Sequence, residues 1–204
     1  MSALDPFYLV TGEVSRLEPL LPCGVKFVQL RLKDKTDGEL RRQIALARDL
    51  CQLWGAQLVV NDFWQIALDL GCDYVHLGQE DMETADFKAL RRQGIRYGLS
   101  THDEAELENA LAHDPDYVAL GPVYPTQLKK MKWAPQGLER LRSWKQKIGD
   151  LPLVAIGGLT PERLPAVFEA GADSAAVVTD IQTAQDPVAR CKLWISACSR
   201  QGDR

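Results

Sequence analysis

No two of the five cysteines (Cys23, Cys51, Cys72, Cys191, Cys198) stand at a Cys-x-x-Cys spacing, and their number is odd. That excludes reading a disulfide framework or a zinc knuckle from them and predicts reduced thiols of a cytoplasmic protein. Long apolar runs are missing too: nothing nears the roughly 20 residues of a membrane span, and no basic start precedes an apolar run. Excess positive charge is also absent. A net charge of −4 and a pI near 5.4 exclude the electrostatic footprint of a nucleic-acid-binding domain, so any bound anion must be held by a local cluster of cations. There are only three histidines, none in a His-Glu-x-x-His spacing, which removes the usual signal for zinc. No Pro/Gly/Ser-rich linker divides the chain, and 204 residues at 46% hydrophobic suit one domain spanning 1–204.

What is present is alternation. Short runs rich in Val, Leu, Ile and Tyr predict strands at about 7–11, 26–32, 57–61, 74–78, 96–100, 117–122, 152–157 and 174–179. Amphipathic stretches near 13–22, 36–54, 62–70, 83–93, 102–113, 136–148, 160–170 and 186–200 predict helices between and after them. Thr36 with Glu39 fits a capping box, Thr101 precedes an acidic turn, and Thr160-Pro161 puts proline at a first helical position. Gly55, Gly71, Gly94 and Gly171 stand where left-handed helix stops are expected. Eight strand–helix units predict an α/β fold, a single (β/α)8 TIM barrel, with a doubly wound open sheet as the alternative.

Both folds gather ligands at the C-terminal ends of their strands, and here those ends carry complementary chemistry. Gln29, Arg31 and Lys33 share one face of the second strand, opposite Leu30 and Leu32. An arginine fork and a lysine point charge suit phosphate oxygens; an internal salt-bridge network is the blander account. Asn61-Asp62 and Asp81 bring two carboxylates to neighbouring strand ends, which suits Mg2+ completed by water and phosphate oxygens. Each aspartate taken singly reads equally well as a helix cap. His76, within a strand, reads as a satisfied core or rim residue, and His102 as a first-turn residue ahead of a general acid–base. The stretch from Gly121 to Lys132 is longer than an ordinary βα turn and is expected to form a loop over the mouth, carrying Thr126 and Lys129 to an anion. Gly157-Gly158 and Val178-Thr179, ending strands seven and eight, match the place where many such barrels bind phosphate through backbone amides.

Taken in order, Gln29-Leu30-Arg31-Leu32-Lys33, Asn61-Asp62, His76-Leu77-Gly78-Gln79-x-Asp81, Ser100-Thr101-His102, Gly121-Pro122-Val123-Tyr124-Pro125-Thr126-x-x-Lys129, Gln136-Gly137 and Ile156-Gly157-Gly158 resemble the thiamine-phosphate synthase family over nearly the whole chain. The resemblance implies a transferase joining a pyrimidine diphosphate to a thiazole phosphate, plain or carboxylated, with release of diphosphate and Mg2+ as cofactor. It implies that Gln29, Arg31, Lys33, Asn61, Ser100 and Lys129 meet the pyrimidine diphosphate, that Arg31, Lys33, Ser100 and Lys129 serve catalysis, and that Asp62 and Asp81 hold the metal. Thr126, Gly157, Gly158, Val178 and Thr179 would hold the thiazole phosphate, and Leu30, Leu32, Gln127 and Leu128 fall within the implied substrate-binding segments. The partners are small molecules, with no nucleic acid and no membrane.

Two positions depart from the family pattern. Leu128 stands where a second loop threonine is usual and cannot donate a hydrogen bond to an anionic thiazole substituent, and Thr179 replaces serine while keeping the hydroxyl. Leu128 brings in the related thiazole tautomerases as an alternative, an isomerase without diphosphate chemistry. A non-catalytic binder of thiamine-pathway phosphates and a Schiff-base aldolase barrel are further alternatives. Asp62, Asp81 and the intact Gln-Leu-Arg-x-Lys set stand against all three.

Overall fold

Every strand alternates its side chains between two apolar environments, which a closed barrel wrapped in helices requires. The computed structural model describes residues 4–126 and 133–199. Its strands are β1 (Phe7–Thr11), β2 (Phe27–Leu30), β3 (Gln57–Asn61), β4 (Tyr74–Leu77), β5 (Arg96–Thr101), β6 (Tyr117–Leu120), β7 (Leu153–Ile156) and β8 (Ser174–Val177). Neighbours pair in parallel around the full circle, and β8 closes on β1. The chain is a (β/α)8 barrel, and the open-sheet alternative is set aside.

Inside the barrel, Tyr8, Phe27, Tyr74 and Tyr117 form an aromatic floor. Tyr8 stacks on Phe27 at 4.0 Å between centroids, and Tyr117 meets Tyr8 edge-on at 6.1 Å. Gly98 makes the floor fit: a Cβ there would lie 2.0 Å from Tyr117 Cζ. Val10, Val59, Ala119, Val154 and Ala176 fill the remaining interior. The opposite strand faces, including Leu9, Val28, Leu30, Val60, Val75, Leu99 and Val118, pack outward against the helices as the larger core. Each such buried aliphatic contributes about 1.5–3 kcal/mol. Polar pins lock the helices on. Trp144 Nε1 donates to Thr101 Oγ1 at 3.0 Å, tying the helix Gly137–Ile148 to β5, and Trp194 Nε1 donates to Asp180 Oδ2 at 2.6 Å from the last helix, Pro187–Ser199.

The helices differ from expectation where proline or short polar turns intervene. The stretch near 13–22 is broken into a 3-10 turn Val14–Arg16, one α turn Leu17–Leu20 and a second 3-10 turn Leu21–Cys23, because Pro22 cannot donate within a continuing helix. The stretch near 83–93 yields a helix only over Phe87–Arg92, capped by Asp86 accepting from Ala89 N, while an unforeseen turn of helix, Gln79–Met82, follows β4 directly. Thr101 belongs to β5, and the cap of the next helix is Asp103, which accepts from Glu106 N. The Thr36–Glu39 capping box is formed, and Gly55, Gly71, Gly94 and Gly171 all take positive φ. No described helix is long and apolar enough to cross a membrane, and all five cysteines are free.

Candidate active site

The barrel order sets β2, β3, β4 and β5 side by side, so their C-terminal residues form one arc of the mouth. Arg31, just past β2, is held by its backbone N–H donating to Thr11 O at 2.8 Å. Leu30 and Leu32 are buried in the outer core, so their side chains turn away from the mouth and the segment offers Gln29, Arg31 and Lys33 to a ligand. Neither Arg31 nor Lys33 forms a close ion pair with a carboxylate among the described residues, while the charge of Arg31 reaches the Asp62 carboxyl.

At the end of β3, Asp62 takes the left-handed conformation with φ 66°, uncommon outside glycine and tolerated best by Asp and Asn. Its N–H donates to His76 O at 2.9 Å, which locks β3 to β4 at this corner. Asp62 does not cap the following helix, Trp64–Asp69, whose first flanking residue is Phe63. Burial raises its carboxyl pKa from 3.8 to about 6, assisted by the charge of Asp81 and a hydrogen bond with it and opposed by Arg31. Two carboxyl groups therefore confront each other beside a guanidinium. Asp81 does not cap the next helix, a role that falls to Asp86; it lies within the turn Gln79–Met82, where its Oδ2 accepts from Gly78 N at 3.1 Å and so occupies one of its oxygens. Asn61 Nδ2 is the one buried side-chain nitrogen or oxygen among the described residues with no hydrogen-bond partner. Asn61 nevertheless lies beside the Asp62 carboxyl and helps to lower its pKa, so this amide belongs to the same polar corner of the mouth.

Beneath the arc runs a buried polar chain. Gln29 Nε2 donates to Tyr8 Oη at 2.9 Å; Tyr8 and Tyr117 share a bond of 2.9 Å between their hydroxyls; Tyr117 Oη lies 2.8 Å from His76 Nδ1; and His76 Nε2 lies 2.8 Å from Ser100 Oγ. Burial, with the charge of Arg31, holds the His76 pKa down at about 3, so the ring is neutral. The satisfied core histidine expected from the sequence is what the structure holds. Tyr8 and Tyr117 were not singled out by sequence reasoning, although period-two alternation puts Tyr8 on one face of β1 with Val10 and Tyr117 on one face of β6 with Ala119. Gln79, noted only within its motif, donates through Nε2 to Ser100 O at 2.7 Å and accepts from Asn109 at 3.1 Å, bracing the end of β4 against β5. His102 bonds Glu106 Oε2 at 2.7 Å and lies parallel to the Trp133 ring, with centroids 5.6 Å apart.

The opposite arc is built from backbone. Gly157 and Gly158 have φ of 99° and 64°, and neither has room for a side chain: a Cβ at Gly157 would sit 2.6 Å from Pro122 Cα, and one at Gly158 2.5 Å from Pro125 O. The root of the loop after β6 is thus clamped onto β7, with Val123 N donating to Ile156 O at 2.9 Å and Tyr124 N to Gly157 O at 3.0 Å. Arg163 stacks its guanidinium 4.5 Å over the Tyr124 ring and donates to Gly158 O. Thr126 ends this root, half-buried; Gln127, Leu128 and Lys129 lie outside the described residues. Val178 precedes one turn of helix, Thr179–Gln182, beside β1. Cations and paired carboxylates on one side and glycine backbone on the other make a mouth suited to two phosphorylated molecules.

A family model described as thiamine monophosphate synthase matches residues 7–181. The chain belongs to this family. It is 58% identical over 194 residues to a thiamine-phosphate synthase of Rhizobium etli, covering 95% of each, and 51% identical over 179 residues to one of Cronobacter sakazakii, covering 88% of this chain and 85% of the relative. In fold it matches the thiamine phosphate pyrophosphorylase of Pyrococcus furiosus with a TM-score of 0.85 at 24% identity, covering 97% of this chain and 96% of that one. The enzyme is accordingly a transferase of thiamine biosynthesis whose reaction gives thiamine phosphate.

Proposed function

We propose that the enzyme condenses 4-amino-2-methyl-5-hydroxymethylpyrimidine diphosphate with a thiazole phosphate, plain or carboxylated, in the cytoplasm, and that it does so with Mg2+. The observation that carries this reading is the confrontation of Asp62 and Asp81 beside Arg31. A half-buried Asp62 carboxyl whose pKa is raised by burial and by the facing Asp81 is costly to ionise alone and suited to a dication. Asp62 and Asp81 would hold the Mg2+, which supplies positive charge to the departing diphosphate. Among the described residues no group of three or more His, Cys, Asp or Glu gathers around one point, so phosphate and water oxygens would have to complete the ion's shell.

Diphosphate departs with the electron pair of the C–O bond, leaving a pyrimidine methylene cation that the thiazole nitrogen attacks. Arg31, Lys33 and Lys129 bind the diphosphate oxygens and gain strength as negative charge develops there, so charge placement accounts for most of the rate. Ser100 and Asn61 Nδ2 donate to the same substrate, and Gln29 contacts it from the barrel interior. Gly157, Gly158, Thr126 and the Val178-Thr179 backbone hold the thiazole phosphate. The test is incubation of both substrates with the protein in Mg2+ or in EDTA, following thiamine phosphate and diphosphate. Magnesium-dependent product that is lost in Asp62→Ala and Asp81→Ala is expected. Product in EDTA, or binding without turnover of either thiazole form, would overturn the reading and favour the isomerase or the non-catalytic binder.

A further inference from the structure

We propose that His76 is a positioning residue, held as the Nε2–H tautomer by a one-way hydrogen-bond chain from Gln29 through Tyr8 and Tyr117, and that it thereby fixes Ser100 as a hydrogen-bond donor toward the mouth. The direction follows from counting hydrogens. An amide nitrogen only donates, so Gln29 Nε2 at 2.9 Å makes Tyr8 Oη an acceptor. Tyr8 is buried, and among the described residues the remaining partner for its own hydrogen is Tyr117 Oη at 2.9 Å. Tyr117, also buried, then has its hydrogen for His76 Nδ1 at 2.8 Å. Nδ1 is therefore the bare nitrogen and Nε2 carries the hydrogen, 2.8 Å from Ser100 Oγ.

The opposite direction fails at Tyr8. With the hydrogen on Nδ1, His76 would donate to Tyr117 and Tyr117 to Tyr8. Tyr8 would then receive two donors while its own buried hydrogen had no acceptor. A doubly protonated ring fails the same way. The difference reaches the substrate because a serine that accepts from His76 keeps its own hydrogen for an anion. A serine that donates to His76 presents only lone pairs, which an anion repels. The chain thus converts a buried arrangement in β1, β2, β4 and β6 into the polarity of one hydroxyl on β5.

The functional half of this proposal rests on the reading that Ser100 meets the substrate anion, and the experiment separates the two. Long-range 15N–1H spectra of the histidine-labelled, substrate-free enzyme report the tautomer directly, whatever Ser100 does. His76 is expected to read as Nε2–H. Tyr117→Phe keeps the ring over Gly98 but removes the donor to Nδ1. It should shift His76 toward the other tautomer and lower kcat about three- to tenfold, with the KM for pyrimidine diphosphate nearly unchanged. Tyr8→Phe is the second variant and should loosen the tautomer in the same sense. His76→Gln, whose amide can still donate toward Ser100, should retain more kcat than His76→Leu. An Nδ1–H signal in the parent, or Tyr117→Phe with unchanged tautomer and kcat, would overturn the proposal. Ser100→Ala with parental kcat would instead overturn the substrate reading, and with it the functional half, while leaving the tautomer assignment to the spectra.

Discussion

Asp62→Asn should make the metal-free protein more stable at neutral pH while removing its response to Mg2+. Burial and the facing Asp81 raise the Asp62 pKa from 3.8 to about 6. A carboxyl whose pKa is raised on folding holds its proton more readily in the folded chain. Its contribution to stability is therefore intact below about pH 4, falls as pH rises, and is lost once pH passes about 6. The sign is opposite to that of a salt-bridged aspartate. A shift of this size corresponds to about 3 kcal/mol for a fully buried group. Asp62 is only partly buried, and solvent screening reduces the figure to about 1–2 kcal/mol. Asparagine is nearly isosteric and adopts the φ of 66° at this position as readily as aspartate, so the charge is what the substitution changes. For a chain of this length the gain corresponds to a Tm rise of about 2–8 °C. Melts in EDTA should show it near pH 7.5 and show none near pH 4, where the parent carboxyl is also neutral. Added Mg2+ should raise the Tm of the parent and leave the variant where it was. A variant no more stable than the parent near pH 7.5 in EDTA, or a gain of equal size near pH 4, would refute the argument that burial and the facing Asp81 make the ionised Asp62 costly in the absence of metal.

The interior and the loop offer sharper perturbations. Gly98→Ala places a methyl 2.0 Å from Tyr117 Cζ and should cost about 1–3 kcal/mol, read as a fall in denaturation midpoint, with part recovered in a Gly98→Ala, Tyr117→Leu double variant. Gly158→Ala combines a φ of 64° with an approach of 2.5 Å to Pro125 O; it should raise the KM for thiazole phosphate roughly tenfold, leave the KM for pyrimidine diphosphate nearly unchanged, and show this split in two-substrate steady-state kinetics. Leu128→Thr should supply a hydrogen bond worth about 1.5–3 kcal/mol to an anionic thiazole substituent, lowering thiazole KM about tenfold or more; equal KM and kcat in both proteins would sink that idea.

The fold was legible because closed parallel barrels leave a periodic trace. Strands buried on both faces appear as short β-branched runs, and helix stops fall on glycines such as Gly55 and Gly94 that the structure finds at positive φ. The chemistry of the mouth was legible for a related reason: a parallel barrel sends every strand's C-terminal end to one rim, so Arg31, Asp62, Asp81, Ser100 and Gly157 converge without any knowledge of distance. What alternation cannot state is which inward residue meets which across the barrel axis. Tyr8 and Tyr117 are 109 positions apart, on strands that do not pair, and their hydroxyls meet at 2.9 Å because the missing side chain of Gly98 leaves room for the Tyr117 ring. Alternation does reveal the faces of Gln29, His76 and Ser100, but a face carries no direction of donation. That direction emerges only when the amide of Gln29, which can donate and not accept through Nε2, is set at one end of a closed chain of hydroxyls. Replacing Gln29 with glutamate would therefore test the polarity at its source. A carboxylate accepts where the amide donated, so Tyr8 and Tyr117 should reverse their donation and His76 should move to the Nδ1–H form in the same 15N spectra; an unchanged Nε2–H signal would mean that something other than Gln29 sets the direction.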